Sequence, residues 1–194
     1  MLKKMLPTMI VVVILVASVP AIAQAIVYQR SVQSMTQTIK KLLTETLRPN
    51  GVGRFARLSA YPPGARNWDC VNDIISDEDS TYVQGTQTDL YGVQDHTGSG
   101  TIRSITVLVR CRVRSGTASA RTAMRTYATN YFGSYVALST SYSDYSTVYA
   151  TNPSTGLAWS WSEVNSLEIG VGLRTGGRRS SVCCTQVWIV VTFL

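Results

Sequence analysis

The strictest constraint in the sequence is the segment from Thr101 to Arg114, in which apolar residues recur at every second position. Successive side chains of an extended chain point to opposite faces, so an alternating pattern predicts a β-strand with one buried and one solvent-facing side. One face carries Ile105, Val107, Val109, Cys111 and Val113, and the other carries Thr106, Leu108, Arg110, Arg112 and Arg114. This segment therefore places a β-sheet at the centre of the fold.

The rest of the chain after residue 52 continues the β pattern. Short alternating runs are separated by clusters of Gly, Pro, Asn and Ser, and the last run, Cys183 to Phe193, is apolar on both faces, as in a central strand. No helical segments alternate with these runs. We therefore predict a mainly β head over residues 54–194, a jelly-roll-like antiparallel β-sandwich, with a β-barrel as the alternative.

The N-terminal part has a different character. Residues Met9 to Val27 contain no charge and follow Lys3 and Lys4. Such a run is about as long as a bilayer core is thick, and the preceding lysines predict that the remainder of the chain is exported. Three interpretations stay open: a helix that packs with other copies, a membrane anchor, and a cleaved secretory signal ending near Ala21-Ile22-Ala23.

Apolar residues continue beyond this run at helical spacing. Intervals of three and four residues predict a seam along a helix that reaches about Leu47, where Arg48-Pro49-Asn50-Gly51 would end it. We expect one long hydrophobic N-terminal α-helix over residues 1–48, a hinge over 49–53 and the head after it. The residues expected to mediate helix assembly are Ile14, Ala25, Tyr28, Val32, Met35, Ile39 and Leu42.

The N-terminal motif resembles a known family. Lys3-Lys4 followed by Met5-Leu6-Pro7-Thr8-Met9-Ile10 is similar to the start of archaeal-type type IV pilin helices, and the similarity covers residues 1–48. The resemblance implies a subunit that sits in a membrane before assembly and then polymerises with copies of itself.

The head resembles jelly-roll domains found in phage structural proteins and microbial surface proteins. The motifs that carry this resemblance are Arg48-Pro49-Asn50-Gly51, Trp68 with Cys70-Val71-Asn72-Asp73, Asp77 to Val83, Leu90-Tyr91-Gly92-Val93, and Ala158-Trp159 before Glu163-Val164. Such domains occur on virions, on filaments and in glycan-binding proteins, so the resemblance leaves the ligand open.

The formal net charge of +7 is distributed as a patchwork. Asp69 to Asp95 contains acids and no base, whereas Arg103 to Arg125 contains arginines and no acid. No continuous basic stripe results, so we expect no nucleic-acid partner. Arg110, Arg112 and Arg114 share one strand face, where we expect either solvation or pairing with the acidic segment of a neighbouring subunit.

The acidic segment is the candidate cation site. Carboxylates clustered in a loop suit Ca²⁺, and the candidate ligands are Asp73, Asp77, Asp79 and Asp89. The alternative is a solvated loop whose aspartates satisfy backbone amides. A glycosidase pair drawn from Asp77, Glu78 and Asp79 is a further alternative.

The four cysteines are candidates for disulfide bonds in an exported domain. They are Cys70, Cys111, Cys183 and Cys184. Adjacent residues of a strand face opposite sides, so Cys111 is expected to meet either Cys183 or Cys184, with Cys70 available for the other. Four buried free thiols are the alternative.

Aromatic residues are concentrated between Tyr127 and Trp161, and six of them are tyrosines. Exposed rings on a β-sandwich can stack against sugars, and Tyr145, Trp159 and Trp161 are the candidate glycan-binding residues. Packing in the core or between subunits is the alternative interpretation.

Together these patterns predict a non-enzymatic structural protein at the cell surface or outside the cell. We expect the subunit of a pilus-like filament that displays the β head. The alternatives are a virion surface or capsid-associated protein, a membrane-anchored glycan-binding adhesin, and a carbohydrate-active hydrolase that uses the acidic segment.

Overall fold

The computed structural model describes residues Ala23, Gln24, Ile26, Tyr28 and 41–194. Leu42–Leu194 forms one compact unit that is mainly β, with two six-stranded antiparallel sheets. The strands are β1 (Leu43–Leu47), β2 (Pro49–Val52), β3 (Ser59–Tyr61), β4 (Tyr82–Gln84), β5 (Thr88–Val93), β6 (Ile102–Ser115), β7 (Ala118–Thr126), β8 (Thr129–Phe132), β9 (Val136–Ala137), β10 (Ser143–Tyr149), β11 (Glu168–Thr175) and β12 (Ser181–Phe193). A short helix, α1 (Trp161–Asn165), precedes β11.

The first sheet, called sheet A, is built on the long pair β6 and β12. Its order is β10-β6-β12-β4-β3, and β1 pairs with β12 as well. The buried positions of β6 alternate along the strand, which confirms the strand predicted over Thr101 to Arg114. Cross-strand partners on the outer face include Leu108 with Trp188 and Thr106 with Val190.

The second sheet, called sheet B, has the order β2-β5-β11-β7-β8, and β9 pairs with β7. In its central strand β11, Ile169, Val171 and Leu173 face the core. The opposite face of β11 carries Gly170 and Gly172, which have no side chain. The middle strand of sheet B therefore presents no side chain on the outer face at these two positions.

The core lies between the two sheets. Side chains from β6, β7, β11 and β12 meet there, and several are fully buried, among them Ile105, Met124, Ile169 and Ile189. Burial of an aliphatic side chain of this size contributes about 1.5–3 kcal/mol to stability. The two sheets share no strand in the described part of the chain, which favours a sandwich over the alternative barrel.

The helical part of the fold-class prediction is wrong where the predicted helix meets the head. Leu43–Leu47 is strand β1, and it pairs antiparallel with Ile189 to Phe193 of β12. Pro49–Val52, predicted as a hinge, is strand β2. Pairing with an already apolar partner strand outweighs the weak helical spacing of these few residues, because local propensity is easily overridden by tertiary contacts.

The transmembrane and pilin-like character expected from the N-terminal helix conflicts with the structure. Across the residues that are described, no helix is both long and apolar enough to span a bilayer. Of the assembly residues, Tyr28 is helical and Leu42 directly precedes β1. Ile14, Ala25, Val32, Met35 and Ile39 lie outside the described residues.

Candidate functional site

A cleft on the outer face of sheet B gathers basic and aromatic side chains from distant parts of the chain. Its volume is about 360 Å³. We call it the arginine–aromatic cleft, and its lining residues are Phe55, Arg57, Thr86, Gln87, Thr88, Arg121, Phe132, Tyr135, Leu173 and Arg174. They come from the segment before β3, the turn before β5, strands β7, β8 and β11, and the residues after β8.

Gly172 is a buried glycine that lies beneath Arg121, next to the residues that line the arginine–aromatic cleft. It pairs with Thr88 of β5 on one side and with Arg121 of β7 on the other. A Cβ atom at position 172 would lie 3.0 Å from Cγ and Nε of Arg121 and 3.1 Å from Oγ1 of Thr88. The missing side chain therefore lets Arg121 lie across the sheet.

Each arginine of the cleft stacks on an aromatic ring. The guanidinium carbon of Arg121 lies 3.8 Å from the ring centroid of Phe132 and 4.6 Å from that of Tyr135. Arg174 lies 5.5 Å from the Tyr135 ring, and Arg57 lies 4.4 Å from the Phe55 ring. Stacking of this kind holds a guanidinium in a fixed plane and contributes about 0.5–1 kcal/mol at an exposed site.

The charges in the cleft are not neutralised. No acidic residue lines it, and within residues 41–194 none of its arginines forms an ion pair. Among the described residues, the buried Nε of Arg121 has no hydrogen-bond partner, and the buried Nε of Arg112 on β6 has none either. An unsatisfied buried donor costs about 1–3 kcal/mol, more when it is charged.

The arginines of β6 provide a contrast on the opposite side of the sandwich. Arg110 binds Glu78 at 2.7 Å and Asp144 at 3.0 Å, and Arg112 binds Asp79 at 2.6 Å. The Arg114 guanidinium donates to the Tyr82 hydroxyl. The pairing expected with a neighbouring subunit is thus made within the chain itself.

A buried carboxylate holds the segment that carries Phe55 and Arg57. Asp89 of β5 is fully buried and accepts from the backbone amides of Arg57 and Leu58. Asn67 Nδ2 donates to its other oxygen at 2.6 Å, and the Tyr91 hydroxyl donates to the same oxygen at 3.1 Å. Burial, followed by the charge of Asp89, raises the pKa of Tyr91, which keeps this hydroxyl a donor.

Of the four aspartates predicted to bind Ca²⁺, the structure brings only Asp73 and Asp77 together. Asp73 and Asp77 share the Thr81 hydroxyl, at 3.3 and 2.9 Å, whereas Asp79 binds Arg112. Burial and the nearby charge of Asp77 raise the pKa of Asp73. Asp89 lies under the segment described above, and the described residues include no group of three or more acidic, His or Cys side chains placed to hold a metal.

The four cysteines are buried free thiols in this structure. Cys111 and Cys184 lie opposite each other on β6 and β12, and burial raises the pKa of Cys111. Cys183 lies 3.2 Å from the Tyr142 hydroxyl. The register therefore makes Cys184 the neighbour of Cys111, while disulfide formation stays a prediction.

The residues predicted to bind glycans are used in packing. Trp159 is 5% exposed and its Nε1 donates to the carbonyl of Tyr149 at 3.0 Å, so it offers no open ring face. Trp161 stacks on His96, with 4.5 Å between ring centroids, and meets Phe193 edge-on. Tyr145 is half-buried against the core.

Sequence reasoning missed most of the arginine–aromatic cleft. Tyr135 belongs to the tyrosine-rich segment, but Phe55, Arg57 and Arg174 lie in segments that carry no local motif. One signal for the site was present in the sequence: the alternation of β7 places Arg121 on the outer face. Arg121 pairs there with Gly172 of β11.

Compared with known proteins, the sequence matches no protein-family model and no curated protein.

Proposed function

We propose that this protein is a non-enzymatic glycan-binding module that acts at the cell surface or outside the cell. The observation that carries the proposal is the arginine–aromatic cleft, where aromatic rings, stacked arginines and polar side chains line one concavity. Concave sites with apolar walls and a few placed polar groups are the usual form of ligand-binding sites in proteins.

The lining of the cleft offers the contacts that a sugar ring needs. Phe132 is 40% exposed and Tyr135 is 38% exposed, so both rings reach the solvent. Thr86, Gln87 and Thr88 supply hydroxyl and amide groups at the same end of the sheet. The apolar faces of a pyranose pack on aromatic rings, while its hydroxyls exchange hydrogen bonds with polar side chains.

Binding fits the cleft better than hydrolysis does. Glycosidases use two carboxyl groups that flank the scissile bond, and the cleft lining contains none. The acids considered for a hydrolase have other partners: Glu78 and Asp79 bind arginines, and Asp77 accepts from Thr81 and Thr185. These contacts support a binding role without chemistry.

The glycine beneath Arg121 provides a direct test. Gly172→Ala adds one methyl group against Arg121 and Thr88 and so displaces Arg121, and we expect affinity for a bound polysaccharide to fall about tenfold or more. Gly51→Ala is the matched control, because a Cβ at Gly51 meets nothing within 4 Å. Isothermal titration calorimetry against a panel of polysaccharides measures the difference. Equal affinity of the two variants for a glycan would contradict the proposed site.

A second candidate function is that of a structural subunit which associates with copies of itself, and a specific surface favours it. Rows on the outer face of sheet A hold Leu108 beside Trp188 and Thr106 beside Val190, with Val148 61% exposed next to them. None of these residues is charged. We expect Val148→Glu to weaken self-association of the protein, as measured by sedimentation velocity. If the wild-type protein and the variant both sediment as monomers, this role is contradicted.

A further inference from the structure

We infer that the arginine–aromatic cleft selects acidic glycans, whose sulfate or carboxylate groups bind Arg121 together with Arg57 and Arg174. The inference rests on the proposed function and adds the chemical class of the ligand. Three features of the described residues support it: the lack of acids in the cleft lining, the fixed plane of the Arg121 guanidinium, and the absence of an ion pair to that guanidinium.

The first observation concerns charge. Arg110, Arg112 and Arg114 of β6 bind Glu78, Asp79, Asp144 and the Tyr82 hydroxyl within the chain. The arginines of the cleft have aromatic neighbours and no anion. Three cations placed around one concavity create a local positive potential that attracts an anionic group from solvent.

The second observation concerns geometry. The guanidinium of Arg121 stacks between the Phe132 and Tyr135 rings, and its stem lies against Gly172. Little side-chain freedom remains to be lost when a ligand binds. A planar guanidinium presents parallel N–H donors that match the paired oxygens of a carboxylate or a sulfate.

The third observation concerns the unpaired charge. Among the described residues, Arg121 forms no ion pair, and its buried Nε–H has no acceptor. An anionic oxygen in the cleft would accept from the terminal nitrogens of the guanidinium, whereas a neutral hydroxyl would form weaker hydrogen bonds there. The aromatic rings and the Thr86 to Thr88 turn would contact the sugar that carries the anionic group.

The experiment measures binding of the full-length protein to heparin as a sulfated probe, polygalacturonate as a carboxylated probe and dextran as a neutral probe. We expect at least one acidic probe to bind about tenfold or more tightly than dextran, with affinity falling as salt rises. Arg121→Gln should weaken acidic binding about tenfold or more. Arg121→Lys should also weaken it, because the charge stays while the planar fork is lost.

Arg103→Gln is the control variant, because it removes one positive charge as Arg121→Gln does. Arg103 is exposed on β6, in the other sheet, and the variant should bind within about twofold of the wild-type protein. Thermal melting of each variant checks that the fold is retained.

The possible outcomes separate the two proposals. Equal binding of dextran and both acidic probes, unaffected by Arg121→Gln, would overturn the acidic-ligand inference and leave the glycan-binding function standing. Binding of none of the three polysaccharides would overturn the function itself. Binding of single-stranded DNA in the absence of any polysaccharide binding would overturn both.

Discussion

At the scale of single residues, Asp89 controls the cleft without lining it. Its carboxylate accepts from the Arg57 and Leu58 amides, from Asn67 and from the Tyr91 hydroxyl. A buried carboxylate is stable only with such a full set of donors. Asp89 therefore ties the Arg57–Leu58 end of this segment to sheet B, while backbone hydrogen bonds of Gly53 and Phe55 with Leu90 hold its beginning.

We expect Asp89→Asn to weaken both the fold and the site. The amide keeps the shape of the carboxylate but cannot accept from all four donors, so the free energy of unfolding should fall by about 1–3 kcal/mol. Affinity at the cleft should fall as well, because Arg57 loses its anchor. Urea unfolding and calorimetry measure the two effects. Asp95→Asn, at an exposed acid, is the control, and equal stability of both variants would contradict this role of Asp89.

Glu163 gives a pH-dependent prediction at the same scale. Burial would raise the pKa of Glu163, but hydrogen bonds from Ser160, Tyr127 and Asn152 outweigh burial and lower the pKa from its ordinary value. A lowered folded-state pKa means that the stabilisation is present above the unfolded value and is lost as the pH falls through the folded value.

We therefore expect the wild-type protein to lose more stability than Glu163→Gln as the pH falls from about 5 to about 3. The contribution is modest because Glu163 is partly exposed to solvent. Thermal melts across this range measure it. Parallel stability curves for the two proteins would show that the capping contacts of Glu163 do not depend on its charge.

At the scale of elements, the segment Leu43–Leu47 shows where local patterns mislead. Leu42 continues a helical spacing that starts near the N-terminus. The residues after it fit a strand equally well, with Leu43, Glu45 and Leu47 on one face. A segment of five residues cannot distinguish the two periods. The exposed edge of β12 decides the outcome by offering a full antiparallel register.

The strand assignment predicts different consequences for two leucines. Leu47 is 3% exposed and belongs to the core, so Leu47→Ala should reduce the free energy of unfolding by about 2–4 kcal/mol. Leu42 is 59% exposed, and Leu42→Ala should change stability by less than about 0.5 kcal/mol. Denaturant unfolding compares them. A larger effect at Leu42 than at Leu47 would support the helical seam instead of β1.

At the scale of the whole molecule, the sequence predicted the sheets better than the site. Alternation is a local property, so the strand over Thr101 to Arg114 was visible directly in the residues. The cleft depends on the juxtaposition of Phe55, Arg121 and Arg174, which only the order of strands in sheet B creates. The role of Gly172 depends on its register with Arg121, which no local pattern encodes.

Long-range contacts also decide which arginines are paired with acids and which are not. The sequence showed acids and arginines in separate segments, but it could not show which pairs would form. Folding brings the loop with Glu78 and Asp79 over β6 and brings no acid to the cleft. Three arginines of sheet A therefore have polar partners within the chain, while among the described residues those of the cleft lie unpaired beside aromatic rings.

The most direct test of this account is a crystal structure of the protein with a sulfated or uronic-acid oligosaccharide. We expect the anionic group in the arginine–aromatic cleft, within hydrogen-bonding distance of the terminal guanidinium nitrogens of Arg121. An oligosaccharide bound on the outer face of sheet A around Trp188, with the cleft empty, would contradict it.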